Sequence, residues 1–392
     1  MILHFVLDEK VTNEIIENFL KVDEDALFIV FVENKRDKFR HISKQGKFLL
    51  KYTDQDDINH ILASGMPHAI LMHAFHLEFA KCILRIKSPI TIGWYEWGFD
   101  IYGLPRIKPH TYGPETNAVI LRSGKQSRLG RIVLKRDRLR RLYHTLKNKE
   151  DRYSIIFRAM EKVSFFVTYL KEDYVYFSTY YPNDFTFVYC PFSTIEQYLG
   201  GSKSTDAINS TGDLNILVGN SASPESNHLD VLVKLQEQKG LSGIKFYFPL
   251  SYGAASKHYI DEVLLKGKKT LGPAFHPMLS FLNRPAYLEI LDSCSTGIFY
   301  HFRQQAMGNI IAMLYQGARI YLSSRNPAME FFQKNGIVVF DFDKDFKKYK
   351  NSRLADDMVL NNKRNLEQLF SESRVLSEIS KLNSILSTHH AI

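Results

Sequence analysis

The stretch Asn215-Ile-Leu-Val-Gly-Asn-Ser221 reads as a short buried strand that stops in a tight polar turn, because Gly219 and Asn220 tolerate the backbone angles such an exit requires. A helix beginning near Ser226 then points its first N–H groups at that turn, an arrangement suited to anions. Further along, Arg303-Gln-Gln-Ala-Met-Gly-Asn309 leads into the apolar run Ile310 to Tyr315, then Gln316-Gly317, then Ile320-Tyr-Leu322. That order is loop, helix, glycine stop and strand. Both polar loops are expected at the carboxyl edge of one parallel sheet, where open α/β folds bind ligands. Arg303 supplies a delocalised cation suited to a diphosphate, and Gln304, Gln305 and Asn309 supply uncharged hydrogen bonds. An ordinary strand–helix crossover with a solvated loop fits the same pattern, since loop polarity is common.

Outward from these stretches, strands and helices alternate along the chain. Residues 2 to 7, 26 to 32, 69 to 72 and 91 to 97 read as strands, with helices over 11 to 20, 54 to 62 and 75 to 84 between them. Residues 103 to 124 read as a loop rich in Pro, Gly and Thr. The rhythm resumes after Gly200-Gly-Ser-Lys-Ser-Thr-Asp206, a small, polar stretch that marks the domain boundary. The expected organisation is a first domain over 1–199, a linker over 200–212, a second domain over 213–360, and terminal helices over 361–392. Alternation of this kind argues for doubly wound parallel sheets.

Composition narrows the function. The 392 residues are 45% apolar and 13% aromatic, enough for two packed domains, and the formal charge of +9 favours acidic partners. Cys82, Cys190 and Cys294 lie far apart and form no ligand spacing, which suits a reducing compartment. Met1 to Leu7 lacks a basic flank and is broken by Asp8-Glu9-Lys10, so no signal peptide is read there. No apolar run reaches the length of a membrane span. The expectation is a cytoplasmic protein, peripheral on the inner membrane. The phosphate-binding Gly-x-x-x-x-Gly-Lys-Ser/Thr loop and Gly-x-Gly-x-x-Gly are both absent from the sequence.

Between Arg122 and Lys149 the chain is strongly basic, with Arg128, Arg131, Lys135, Arg136, Arg138, Arg140, Arg141, Lys147 and Lys149. Leu139, Leu142, Tyr143 and Leu146 recur within it at helical spacing. A basic amphipathic helix suits an anionic leaflet or a lipid diphosphate, with Arg136, Arg138, Arg140 and Arg141 as the membrane-binding residues. A solvated face over a core-facing stripe fits equally. No nucleic-acid-binding motif accompanies the run, so no nucleic-acid partner is expected.

The chain's only two tryptophans, Trp94 and Trp97, flank Glu96 and precede Asp100. Aromatic rings beside a carboxylate suit sugar recognition, because sugar C–H faces stack on rings while carboxylates accept hydroxyl protons. A packed pair of tryptophans with Asp100 capping a helix is the alternative. His73 stands where the strand 69 to 72 ends, as a base, an acceptor contact or a hydrogen-bonded core residue.

Three motifs in this order, Trp94-Tyr-Glu-Trp97-Gly98-Phe-Asp100-Ile-Tyr102, ILVGNS with Ser226-Asn227-His228, and FRQQAMGN followed by QGARIYLSSRNP, resemble the bacterial TDP-N-acetylfucosamine:lipid II N-acetylfucosaminyltransferases. These are the glycosyltransferase family 56 enzymes of enterobacterial common antigen assembly. Weaker similarity falls at His73, at Phe248-Pro249-x-x-Tyr252 and from Tyr287-Leu288 through Phe299, so nearly the whole chain is covered. The resemblance implies a GT-B fold of two Rossmann-like domains facing a central cleft, with the terminal helices returning to the first. It implies transfer of an amino-deoxy sugar from a TDP-sugar to a polyprenyl-diphosphate-linked oligosaccharide. Donor binding falls to Gly219, Asn220, Ser221, Tyr252, Arg303, Gln304, Gln305 and Asn309, and acceptor or sugar contact to Trp94 and Trp97. Asp100 and His73 are the catalytic candidates. Glu96 has no counterpart in the family motif. No cofactor or metal is expected, because Arg303, the Gln pair and backbone donors near Asn220 and Ser221 can stabilise the departing phosphate. A non-catalytic carbohydrate- or nucleotide-binding module of the same shape is the competing class.

Overall fold

The computed structural model describes residues 1–63, 67–122, 139, 140, 143, 146, 150–200, 214–241, 243–253, 255–350 and 352–388. These fall into two compact units. The first draws on residues 1–107, 133–194 and 369–392, and the second on 108–132 and 195–368. The segment expected as a linker, together with Arg136, Arg138 and Arg141, lies outside the described residues apart from Gly200.

The first unit is built on a seven-stranded sheet. Its strands are β1 (Ile2–Val6), β2 (Leu27–Phe31), β3 (Leu49–Tyr52), β4 (Ala69–His73), β5 (Thr91–Tyr95), β6 (Phe165–Thr168) and β7 (Thr186–Tyr189). Their order is β3-β2-β1-β4-β5-β6-β7, and every pairing is parallel. Strands β1, β4, β5 and β6 are buried along their whole length. Helices cover both faces of a parallel sheet, and its central strands are therefore apolar without alternation. One face packs Phe5, Met72, Trp94 and Phe166 against the helices Leu77–Leu84 and Arg152–Met160. On the other face the terminal helix Glu372–Thr388 inserts Val375, Ile379, Leu382 and Leu386 among Ile2, Val6, Leu71 and Tyr95.

The second unit repeats the plan with six strands. These are β8 (Asn215–Val218), β9 (Phe246–Pro249), β10 (Phe275–Met278), β11 (Cys294–Phe299), β12 (Arg319–Leu322) and β13 (Phe340–Asp341), in the order β10-β9-β8-β11-β12-β13, all parallel. The helix Met307–Tyr315 runs from β11 toward β12. It ends where Gly317 takes φ +93, close against Val359, a conformation that side-chain-bearing residues rarely adopt.

Three elements depart from the sequence reading. The loop expected over 103 to 124 contains the helix Pro114–Arg122, and from Lys108 onward it groups with the second unit. Its first N–H groups, on Glu115 and Thr116, donate to the Asp230 carboxylate at 2.9 and 3.1 Å. Asn227 holds the turn before it, accepting from the Gly113 amide at 2.8 Å and donating to the Thr111 carbonyl. Two short strands, β3 and β10, were not expected at all.

The terminal helix makes a direct test of the first core. Leu382→Ala should destabilise the protein by about 2–5 kcal/mol, the range for emptying a fully buried leucine site. Urea unfolding followed by circular dichroism measures this, and an unchanged midpoint would remove the helix Glu372–Thr388 from the core.

Candidate functional site

In both sheets the strand order reverses between neighbouring strands, at β1/β4 and at β8/β11. The loops leaving the carboxyl ends of such strands are where open α/β sheets present ligand-binding groups.

At the second reversal the two stretches that decided the fold meet. Gly219 turns the β8 exit at φ +70, and Gln305 of the β11 exit donates from Nε2 to the Asn220 side-chain oxygen at 2.8 Å. Tyr252, leaving β9, also hydrogen-bonds Asn220, and its carbonyl accepts from the Ala222 amide at 2.7 Å. Asn309 donates to the Tyr287 hydroxyl at 2.7 Å. Arg303 is half-buried, with Nε donating to the Gln304 carbonyl at 3.3 Å. Ser221 is buried, and its carbonyl accepts from the Ser226 hydroxyl at 3.1 Å. All eight donor-site candidates therefore stand on loops or helix starts at this edge.

Two helices begin here without a side-chain cap. The residue before His228–Gln236 is Asn227 (φ +52), and the residue before Met307–Tyr315 is Ala306 (φ +65). Asn227 spends its amide on Gly113, Thr111 and Tyr300. Uncapped helix starts leave N–H groups and the positive end of the helix dipole available to an anion.

Sequence reasoning missed two histidines at this edge. His228 is fully buried; Nδ1 pairs with the Tyr259 hydroxyl at 3.3 Å, while Nε2 is unpartnered among the described residues. Nε2 faces Gly219, where an added Cβ would sit 2.7 Å away, so the glycine is required by space as well as by φ. His301 is fully buried with neither ring nitrogen partnered among the described residues. Burial, and after it the Arg303 cation and His228, hold His301 well below the ordinary histidine range. Burial also pushes the His228 pKa down to about 3. Both rings are neutral. Their places beside Ser226-Asn227 and just before Phe302-Arg303 were the available signal.

The carboxyl edge of the first sheet corrects several expectations. Trp94 is fully buried and cannot stack on a sugar; Phe75, Phe166, Phe177 and Phe185 surround its ring. Its Nε1 donates to Asp100 Oδ2 at 2.7 Å. Asp100 also accepts from the amides of Phe75 at 3.0 Å and Trp97 at 3.2 Å, which ties the β4 exit to the β5 exit. Its carboxylate is thus a clamp for the backbone rather than an open proton acceptor. Burial raises its pKa, opposed by the N–H donors of Trp94, Phe75 and Trp97. Trp97 is half-buried against Phe99 and Phe192, with its Nε1 unpartnered among the described residues. It is the tryptophan still able to meet a ligand.

His73 is likewise a core residue. Its Nε2 lies 3.0 Å from His4 Nδ1, its ring stacks on Tyr95, and burial lowers its pKa to about 3. A fully buried, neutral imidazole that shares one proton with another imidazole does not reach an acceptor.

Arg140 is the remaining correction. Expected on a membrane-facing surface, it is fully buried, with Nε 2.8 Å from Asp151 Oδ2 and its guanidinium over Tyr153 and Phe157. Asp151 also accepts from the Tyr153 and Ser154 amides at the start of the helix Arg152–Met160. The arginine is spent on that helix start, where a buried carboxylate demands a counter-charge.

Glu96, between the tryptophans, received no role in the sequence reading. It is 4% exposed; Oε2 accepts from the Thr168 hydroxyl at 3.2 Å, and Oε1 has no hydrogen-bond partner among the described residues. Burial first, then the Asp173 and Asp100 carboxylates, raise its pKa well above the usual glutamate range. Asp100 gathers more N–H donors than Glu96, so of the two Glu96 is the carboxyl whose burial is less well answered. Among the described residues no group of three His, Cys, Asp or Glu side chains is placed to hold a metal.

The sign of this shift is testable. A folded-state pKa above the unfolded value of 4.5 gives stability that is fully present below 4.5 and lost as pH rises through the folded value. Glu96→Gln keeps the shape without titrating. Its thermal midpoint should therefore rise relative to the parent's over the window that opens above pH 4.5. A difference that is flat across that window would remove the shift from Glu96.

Solved structures share this architecture at low identity. An alpha,alpha-trehalose-phosphate synthase (UDP-forming) from Burkholderia vietnamiensis matches with a TM-score of 0.58 at 10% identity, covering 99% of this chain and 100% of that one. HepE from Anabaena, in complex with UDP-glucose, matches with 0.56 at 10%, covering 98% and 99%. WaaG, a glycosyltransferase involved in lipopolysaccharide biosynthesis, matches with 0.55 at 9%, covering 99% and 100%. The fold is of the GT-B type. The model of the 4-alpha-L-fucosyltransferase family, glycosyl transferase group 56, matches residues 138–375, more than half of the chain, and the chain belongs to that family of glycosyltransferases.

Proposed function

We propose that this glycosyltransferase moves an amino-deoxy sugar of the N-acetylfucosamine kind from a TDP-sugar to a polyprenyl-diphosphate-linked oligosaccharide, working at an anionic membrane surface. The observation that carries the donor half is the Gln305–Asn220 hydrogen bond. It joins the β8 and β11 exits beside Arg303 and two uncapped helix starts. Such a loop cluster offers a diphosphate one guanidinium, several uncharged donors and backbone N–H groups. These groups stabilise charge that grows on the leaving phosphate as the glycosidic bond to it breaks. HepE, of like fold, was solved with UDP-glucose, which supports a nucleotide sugar as the donor class. Family membership supports the deoxy sugar. On the first unit, Trp97 is the proposed sugar contact and Asp100 the group that fixes its loop.

Screening nucleotide sugars for thermal stabilisation, followed by product analysis with a lipid-linked acceptor, tests the reading. Stabilisation by a UDP- or GDP-sugar but by no TDP-sugar would overturn the donor assignment. Arg303→Ala should weaken TDP binding by roughly 10- to 100-fold, since a hydrogen bond to a charged group contributes about 1.5–3 kcal/mol. The fold should be unchanged. Calorimetry reads the affinity, and an unaltered value would take Arg303 out of the donor site.

A further inference from the structure

We propose that His228 Nε2 donates a hydrogen bond to a phosphate oxygen of the donor's diphosphate. The inference rests on the donor site proposed above and gives it a contact that its polar loops alone do not supply. His228 opens the helix His228–Gln236, whose start has no side-chain cap, and its ring is fully buried. The Tyr259 hydroxyl lies 3.3 Å from Nδ1 and accepts from the His228 backbone amide. A hydroxyl that accepts from an amide turns its own proton to another acceptor in reach, so Nδ1 receives the Tyr259 proton. In a neutral imidazole the other nitrogen then carries the ring's N–H. That nitrogen is Nε2, which has no partner among the described residues. It is also the ring atom nearest the Gly219 turn, since a Cβ added there would sit 2.7 Å from Nε2 and 3.3 Å from Cδ2. A buried donor is thus held against the turn that leaves β8, with no acceptor among the described residues.

The surroundings select the acceptor. Arg303 and His228 both act on the buried His301, which puts the three side chains within electrostatic reach of one another. The guanidinium and the positive end of the uncapped helix favour an anion, and the two neutral imidazoles add hydrogen-bonding capacity without charge. The protein's own carboxylates in this region are engaged elsewhere. Glu225 accepts from the Tyr112 and Ser223 hydroxyls, and Asp230 from the Glu115 and Thr116 amides. Of the acceptors a nucleotide sugar carries, the phosphate oxygens are the ones that bear charge. The contact strengthens as the glycosidic bond breaks and its electron pair moves onto the phosphate, while Nε2 keeps its proton.

Calorimetry on the full chain with TDP, UDP and inorganic pyrophosphate tests the assignment. His228→Gln places an amide N–H near the position of Nε2, whereas His228→Asn places one near Nδ1. The Asn variant should bind TDP and pyrophosphate about tenfold or more weakly, and the Gln variant should stay within about threefold of the parent. In parent protein carrying isotope-labelled histidine, the Nε2 resonance of His228 should shift when either ligand is added. An Asn variant that binds as the parent does, or an Nε2 resonance unmoved at saturating ligand, overturns the contact while leaving the diphosphate site standing. Equal losses in both variants with an unmoved resonance assign the ring to packing against Gly219 and also overturn it. Where a variant fails to fold, the resonance of the parent decides alone. A parent that binds UDP and not TDP overturns the thymine reading, and UDP and pyrophosphate then decide on His228. A parent that binds none of the three overturns the site and the contact together.

Discussion

Parallel pairing throughout both sheets constrains everything else in the molecule. A parallel strand must be re-entered from the same end as its neighbour, so every strand leaves its sheet at one edge. Central strands buried on both faces leave little room for polar chemistry along their length, and polar side chains concentrate where they end. Asp100, Glu96 and His73 in the first unit, and Asn220, His301 and Arg303 in the second, all occupy that edge. The reversal of strand order at β1/β4 and β8/β11 separates the helices above and opens room there.

The two edges use their polar groups differently. In the first unit Asp100 gathers N–H donors from Phe75, Trp94 and Trp97, and locks two strand exits together. A carboxylate so engaged ties the Trp97 backbone to Phe75 and Trp94. In the second unit the loops are linked to each other, yet His228 Nε2, Gln305 Oε1 and both His301 nitrogens have no partner among the described residues. A buried polar atom without a partner costs about 1–3 kcal/mol. Several of them gathered around one pair of loops are consistent with an edge whose hydrogen bonds are completed by a ligand.

The sequence made the centre of each sheet legible because continuous apolar runs ending in Gly, Asn or His leave little choice of structure. Strands β1, β2, β4, β5 and β8 fall within or beside the ranges read for them. Edge elements were hidden for physical reasons. Strand β3 is four residues long with only Tyr52 fully buried, and β10 carries Pro277, which argues against a strand when read alone. The helix Pro114–Arg122 lies in a Pro- and Thr-rich stretch and is capped by Asp230, more than a hundred residues away. No local pattern contains that information.

The candidate sites were legible in part, by the same logic. Loop residues such as Asn220, Gln305 and Arg303 carry their chemistry in their position after a strand, so their grouping could be anticipated. Tryptophan and arginine could not be sorted this way. Each has a large apolar body and a polar end, and either can serve the core or the surface. Trp94 went inside because its Nε1 found Asp100; Arg140 went inside because Asp151 needed a cation and two aromatic rings could cover it. In both cases a buried carboxylate made the choice. Glu96 has no cation or tryptophan N–H to answer it, and burial beside two other carboxylates pushes its pKa up instead. Burial decides whether a carboxyl recruits a partner or gives up its charge, and that decision depends on contacts the linear sequence does not display.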